Sequence, residues 1–360
     1  MELEIIAGLV LNGDPKAWEW WNPHPDGFAY EWTHPPVAKL GMALGMFVFG
    51  ENAFGWRVVQ VLLGSLSIGT LFLIAKRIFN DNKLAIFASL ALMFDGLFFV
   101  MNRIGMNDTY LLFFGLLSLL FVLSERIFLS SLFFGLAISS KWSAIYMFPI
   151  LVLSVLVFKR KINYSYIYFL FVPIVVYISS YFVMFATGHT WAQFVEVQRQ
   201  MWWYHTNLVA EHAYSSPAWS WPLILRPIYL YDGGAENGLV SRIYALGNPV
   251  FFWFGLASAI TASILVIKEK YRHLSFVIFA YLIFFVPWIA SPRIMFFYHY
   301  LPALPFLAII TAFILRKYEK VAAVYFALLI LVFIYFYPHL TGMPIPVWLN
   351  ESYYWFSSWR

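Results

Sequence analysis

Eight stretches of the chain, 58–75, 84–101, 109–124, 164–186, 249–267, 274–290, 294–315 and 321–337, are almost entirely apolar, and a single charged residue, Asp95, lies within them. A helix that crosses the hydrocarbon core of a bilayer needs about 20 such residues, with roughly 17–25 tolerated. Each stretch therefore predicts a spanning helix. A ninth stretch, 127–158, is broken by Ser139-Ser140-Lys141 and fits either one overlong helix or two short ones. The run 37–49 is too short to span and predicts an interfacial helix. Composition closes the soluble alternatives: 62% of residues are hydrophobic and 11% charged, against roughly 25% charged in a soluble domain. That leaves too little polar surface to coat a soluble enzyme, a disordered chain or a nucleic-acid reader. Cysteine is absent, which removes disulfides and thiolate metal sites.

Basic residues gather in four short loops: Lys76-Arg77 with Lys83, Lys159-Arg160-Lys161, Lys268 with Lys270 and Arg272, and Arg316-Lys317 with Lys320. Short cytoplasmic loops hold the positive excess. Placing all four inside requires an even number of crossings between neighbours, which makes 127–158 two crossings with Lys141 at the outer turn. The first of these is short and needs a thinned or snorkelling boundary at Arg126. The expectation is an all-α, polytopic transmembrane protein of about ten spans with outer interfacial helices and loops. It divides into an outer loop with an interfacial helix (1–56), a first transmembrane group (57–186), an outer Trp/Tyr-rich loop (187–248), a second transmembrane group (249–338) and an outer tail (339–360). The net charge of +5 then belongs to topology and requires no nucleic-acid partner.

On this topology all 16 tryptophans fall on the outer loops or the outer ends of helices. Two readings stay open: a heavy interfacial belt, or a carbohydrate-handling surface in which aromatic faces pack on sugar C–H groups. The same face holds the candidate chemistry. Two prolines fix the chain around His34-Pro35-Pro36, with Lys39 following, either to hold His34 rigidly or to stiffen the lead into 37–49. Asp95-Gly96 sits inside a span, where ionisable groups are costly and usually functional, unless Gly96 lets backbone and water reach the carboxylate. Arg103 and Asp108 occupy a turn between spans, as a boundary pair or as a site. Lys141 and Arg293 each read singly as anchors. Together, Lys39, Arg103, Lys141 and Arg293 beside several carboxylates supply what moving a sugar from a lipid phosphate to a hydroxyl needs. Cations meet the phosphate, Arg in a bidentate fork, and a carboxylate takes the acceptor proton. No Asp-x-Asp or other metal spacing is present, so neither a metal nor a cofactor is expected.

These residues resemble a known family, the protein O-mannosyltransferases, membrane enzymes of the C-type glycosyltransferase fold that use dolichyl phosphate mannose. The likeness runs from Glu31 to Pro302. His34-Pro-Pro-Val-Ala-Lys39 is similar to the family's His-Pro-Pro-x-Gly-Lys, with Ala38 in place of Gly. Asn52-Ala-Phe-Gly-Trp-Arg57, Asp95-Gly96, Arg103-Ile-Gly-Met-Asn-Asp108, Lys141-Trp-Ser143, Tyr204-His-Thr206, Tyr214-Ser-Ser216, Trp219-Ser-Trp-Pro222, Gly247-Asn-Pro249 and Phe297-Tyr-His-Tyr-Leu-Pro302 follow in order. The resemblance implies that Arg103 meets the donor phosphate and that His34 and Lys39 shape the active-site loop. The full assignment places Arg103, Lys141 and Arg293 on the donor phosphate, and His34, Pro35, Pro36, Lys39, Asp95, Asp108 and His205 in the active-site loop; the catalytic group stays unassigned.

The large extra domain that eukaryotic members insert at 187–248 is missing, so the short prokaryotic form is the better match. The family's Asp-Glu pair after its first span is not found, and an outer segment 1–56 has no preceding span to carry it across. Both lead to the expectation of a further span and the proton-accepting carboxylate before Met1. The partners implied are a polyprenyl or dolichyl phosphate sugar donor, a polypeptide acceptor and the bilayer, in a prokaryotic plasma membrane with the active site on the extracytoplasmic face. A dimer is compatible with this reading. The rivals are a same-fold transferase acting on a lipid or glycan, a transporter, and a catalytically incomplete partner subunit.

Overall fold

A computed structural model of the chain describes residues 2–21, 31–158, 163–291 and 293–360; the basic loop 159–161 falls outside them. In chain order the helices are α1 (Glu2–Leu11), α2 (Val37–Phe49), α3 (Gly55–Phe79), α4 (Asn82–Met93), α5 (Gly96–Met101), α6 (Asn107–Leu123), α7 (Ile127–Ile138), α8 (Met147–Val157), α9 (Tyr168–Ser180), α10 (Phe182–Ala186), α11 (Trp191–Asn207), α12 (Pro249–Glu269), α13 (Arg272–Phe285), α14 (Leu304–Leu315), α15 (Glu319–Thr341) and α16 (Val347–Ser352). Strands β1 (Ile228–Glu236), β2 (Leu239–Ala245) and β3 (Ile345–Pro346) form an antiparallel sheet of order β1-β2-β3.

The protein is a polytopic helical membrane protein, as its hydropathy predicts. Among the described residues, Gly55–Phe79, Pro249–Glu269, Arg272–Ala290, Phe297–Leu315 and Glu319–Thr341 are long and apolar enough to cross a bilayer. Five shorter apolar helices, Asn82–Met93, Asn107–Leu123, Ile127–Ile138, Trp142–Val157 and Tyr164–Ser180, fall in the other predicted spans. The stretch 127–158 is two helices with Ser139-Ser140-Lys141 between them. The stretch 84–101 departs from a continuous span: it breaks at Phe94–Asp95, and the Asp95 carboxylate takes the Phe98 N–H of the new helix at 2.8 Å. An aspartate that caps the next turn makes the break locally favourable.

The chain folds as two compact units, Met1–Thr70 with Asn102–Val209, and Leu71–Met101 with Ala210–Arg360. In the first, α1 lies on α2, burying Ile6, Ala7 and Val10 with Ala38, Met42 and Met46. α6 and α7 approach closely because Ser118 and Ser130 each donate a side-chain hydrogen bond to the other's carbonyl at 2.8 Å, the small-residue contact that stands in for hydrophobic drive inside lipid. Asn52 Oδ1 accepts from the Phe54 and Gly55 N–H groups and so starts α3. A Cβ on Gly55 would lie 2.0 Å from the Gly50 carbonyl, which explains why the Asn-Ala-Phe-Gly-Trp-Arg segment needs its glycine.

In the second unit α14 is central. The Phe297–Leu315 segment, with a mean hydropathy of 1.7, has 89% of its apolar window buried, against 22% for Glu319–Thr341 at 2.3, so the less apolar segment forms the core and the more apolar one faces lipid. The β1–β2 hairpin turns on Asn237-Gly238, both with positive φ, the two-residue turn that matches strand twist. β1 is exposed beyond Tyr229.

Candidate active site

The His34-Pro35-Pro36 segment ends in α2, whose first N–H, from Val37, donates to the Ser139 carbonyl at 3.0 Å. That bond fixes the loop to the turn that carries Lys141 and Trp142. Both prolines are buried. Three side chains then close on one another. The His34 Nδ1 stands 2.7 Å from Glu31 Oε1, and the Lys39 Nζ stands 3.1 Å from Glu31 Oε2 while donating to the His34 carbonyl at 2.8 Å. The Thr33 hydroxyl donates to the same Glu31 oxygen at 2.5 Å. Lys39 keeps 3% of its side-chain surface, Glu31 10% and His34 19%. Burial works against the Glu31 charge, but Lys39 and then His34 outweigh it and hold the carboxyl well below its ordinary range. Burial likewise pulls the Lys39 ammonium down, with Glu31 opposing. A carboxylate at Nδ1 selects the tautomer of a neutral His34 in which Nε2 is the basic nitrogen.

His205, from α11, stands edge-on to His34 with ring centroids 5.2 Å apart, and its Nε2–H donates to the Thr33 carbonyl at 2.8 Å. Trp142 lies 6.0 Å from the His205 ring and donates to the Tyr177 hydroxyl, which donates to Gln198 at 2.6 Å. Trp20, Trp32 and Tyr204 continue the aromatic wall, with Trp32 and Tyr204 meeting edge to face at 5.6 Å.

Lys141 reaches back to the first turn of α6, where it meets both oxygens of Asp108 at 2.9 Å. The Asn107 side-chain oxygen Oδ1 and the Tyr110 hydroxyl, on the same turns, are buried without a protein hydrogen bond. Arg103 is half-buried in the turn between α5 and α6. That turn rests on α3: a Cβ at Gly64 would lie 2.6 Å from the Asn102 side chain, and Gly105, with φ of 73°, packs on Trp56. The first unit thus gathers His34, Pro35, Pro36, Lys39 and His205 into one cluster, and ties Lys141 to Asp108.

Asp95 and Arg293 belong to the second unit. Asp95 is fully buried, and its second oxygen accepts from the Asn248 N–H at 2.8 Å, while Asn248 caps α12 by accepting from the Val250 N–H. Its carboxylate serves the backbone. Arg293 borders a cleft of about 720 Å³ with Glu211, His212 and Ser215. Sequence reasoning did not identify Glu31 as the partner of both His34 and Lys39; its i, i+3 spacing before His34 was the available signal. The Tyr177–Gln198 link, closed by folding over 21 residues, had none.

The fold is that of a solved protein O-mannosyltransferase complex of Saccharomyces cerevisiae, Pmt1-Pmt2 bound to its sugar donor, with a TM-score of 0.80 at 13% identity over 100% of this chain and 89% of that one. That likeness shows the fold, and two family models define the class, a polytopic membrane glycosyltransferase. The family model described as "Dolichyl-phosphate-mannose-protein mannosyltransferase" matches residues 33–185, and that described as "C-terminal four TMM region of protein-O-mannosyltransferase" matches residues 190–359. Together they leave little of the chain unmatched, and the chain belongs to the protein O-mannosyltransferase family. Among its relatives are the polyprenol-phosphate-mannose–protein mannosyltransferases of Mycolicibacterium smegmatis, 25% identical over 91% of this chain and 82% of the relative, and of Corynebacterium glutamicum, 24% identical over 96% and 86%.

Proposed function

We propose that the chain transfers mannose from a polyprenyl phosphate to Ser and Thr hydroxyls of exported polypeptides, on the extracytoplasmic face of a prokaryotic plasma membrane. The relatives' names support the donor and the acceptor class. The observation that carries the reading is the Glu31–His34–Lys39 cluster beside His205 and the aromatic wall. In the step proposed, the acceptor oxygen bonds to C1 of the mannose as the bond from C1 to the phosphate oxygen breaks. The electron pair leaves with the polyprenyl phosphate, whose developing charge Arg103 stabilises. Among the described residues the group to take the hydroxyl proton, in the role expected of an upstream carboxylate, is His34 Nε2, with Glu31 holding the ring by its other nitrogen. Lys39, pinned between Glu31 and the His34 carbonyl, fixes the loop's shape.

The test is incubation of membranes holding the chain with labelled polyprenyl-phosphate mannose and a Ser/Thr-rich peptide. Label released from the peptide by β-elimination is the expected result. Label in a lipid or glycan instead would move the reading to the same-fold rival. Transfer that begins only when a second membrane protein is added would make the chain a partner subunit.

A further inference from the structure

The hairpin β1–β2 raises a question that transfer chemistry leaves open, because β1 beyond Tyr229 is exposed and contributes nothing to the core of its unit. What it does form, with the C-terminal tail, is a cleft of about 280 Å³, close to the lower end of the roughly 300–1,000 Å³ of small-ligand sites. Tyrosine rings wall it: Tyr229 and Tyr244 lie 4.8 Å apart, and Tyr354 meets Tyr244 edge to face at 5.9 Å. Arg242 donates through Nη1 to the Tyr354 hydroxyl at 3.1 Å, while its Nε is buried without a hydrogen-bond partner, 3.8 Å from Asp232 Oδ1. On the other side Arg360 pairs with Glu351 and lies 5.4 Å over the Tyr354 ring.

Two arginines face two carboxylates, so the cleft carries no net charge. A phosphate would find the arginines already answered, whereas a neutral polyhydroxylated ligand can use both signs. Adjacent sugar hydroxyls bridge guanidinium and carboxylate groups, and the C–H face of the ring packs on tyrosine. The Arg242 side chain keeps 29% of its surface and Asp232 45%, so guanidinium and carboxylate are both open to such hydroxyls.

We propose that this cleft binds a neutral hexose carried on the acceptor polypeptide, so that a chain already bearing mannose is held for further transfer. The proposal rests on the transferase reading for the carrier of the sugar, not for the binding of the sugar itself.

The experiment uses the full chain in lipid nanodiscs, titrated with a mannosylated Ser/Thr-rich peptide and with its unglycosylated counterpart. The mannosylated peptide is expected to bind about tenfold tighter, equivalent to ~1.4 kcal/mol. Arg242→Ala should abolish the preference. Tyr354→Phe, which keeps the ring and removes only the hydroxyl, should weaken it by less. Transfer to an unglycosylated single-serine peptide should be unchanged in both variants. Equal binding of the two peptides by the native chain, or an undiminished preference in Arg242→Ala, would overturn the proposal. A chain that prefers the mannosylated peptide yet transfers nothing would support the cleft and refute the transferase reading, so the two failures remain distinct.

Discussion

In the first unit Asp108 and Lys141 keep 2% and 8% of their side-chain surface and meet on two contacts of 2.9 Å; in the second, Asp232 and Arg242 keep 45% and 29% and stand 3.8 Å apart. The chemistry of the two pairs is alike and their circumstances are opposite. Charges taken out of water cannot spare their partner, because each would be left uncompensated in a medium of low dielectric. Charges that stay hydrated hold each other weakly and can exchange a partner for a ligand hydroxyl. The buried pair therefore suits holding a turn in place, and the exposed pair suits meeting something that comes and goes. Glu31 and Lys39 belong with the first kind. His34, the most exposed of their cluster, is where that rigid arrangement meets solvent.

Arg103 stands between the two kinds, half-buried on a turn braced by α3, and the largest effect is expected there. Arg103→Ala should lower transfer by at least about 10²–10³, the loss seen when one preorganised donor to a developing oxyanion is removed. Thermal unfolding should not change. Arg103→Lys should retain part of the activity, since an ammonium cannot reproduce the guanidinium fork. Native turnover with lowered stability in Arg103→Ala would place Arg103 among the buried structural charges.

The next effect falls on stability. Asp108→Asn or Lys141→Met alone should each destabilise the protein by about 3–5 kcal/mol, because one charge is left buried and unpaired. The double variant Asp108→Leu with Lys141→Met should recover most of that loss. Transfer assays on the recovered double variant then separate two roles for Lys141. Retained turnover makes it a positioning residue, and a stable but inactive protein makes it a phosphate ligand.

The sequence made some of this legible and hid the rest for physical reasons. Hydropathy located the spans, and counting basic loops split 127–158, because charge placement in a membrane protein is a long-range constraint written locally. The break at Phe94–Asp95 was invisible to hydropathy, since the residues on both sides are apolar. Its cause lies in Asp95 capping α5 and in the close approach of Gly96, where a Cβ would sit 2.2 Å from the Leu246 carbonyl. The hairpin turn is written in Asn237-Gly238, inside the segment 187–248 expected as an outer loop, and its strands carry too little apolar alternation to stand out there. At the site, the motifs marked His34, Lys39 and His205 and left their geometry unstated. That Asp108 and Lys141, 33 residues apart, would close on each other follows only from α6 packing on α7.

An intermediate effect should appear on acidification. The Glu31 carboxyl is held below its ordinary value near 4.5, burial opposing and Lys39 and His34 prevailing. A carboxyl whose value is lower in the folded state contributes its stability above the unfolded value and loses it as pH falls toward the folded one. The difference in unfolding temperature between the native protein and Glu31→Gln should therefore be flat from about pH 5 to 8 and shrink below the ordinary value. A difference that already declines between pH 8 and 6 would mean that another group, and not Glu31, sets the stability of the loop.

The smallest effect is expected at Asp232. The Tyr229 hydroxyl, and then the Gly234 N–H at 2.9 Å, hold its carboxyl below the ordinary range, yet the side chain is nearly half exposed. Water and ions screen such a pair, so Asp232→Asn should shift stability by less than ~1 kcal/mol. What shift there is should shrink in concentrated salt, since at about 0.5 M the Debye length falls to roughly 4 Å, the length of the pair itself. The Asp108–Lys141 pair should show no such salt dependence, because ions do not reach it. A salt-resistant loss at Asp232 of the size expected at Asp108 would show that the cleft is closed and structural in solution. The contrast between the two units, and with it the exchangeable partner that a hexose would displace, would then disappear.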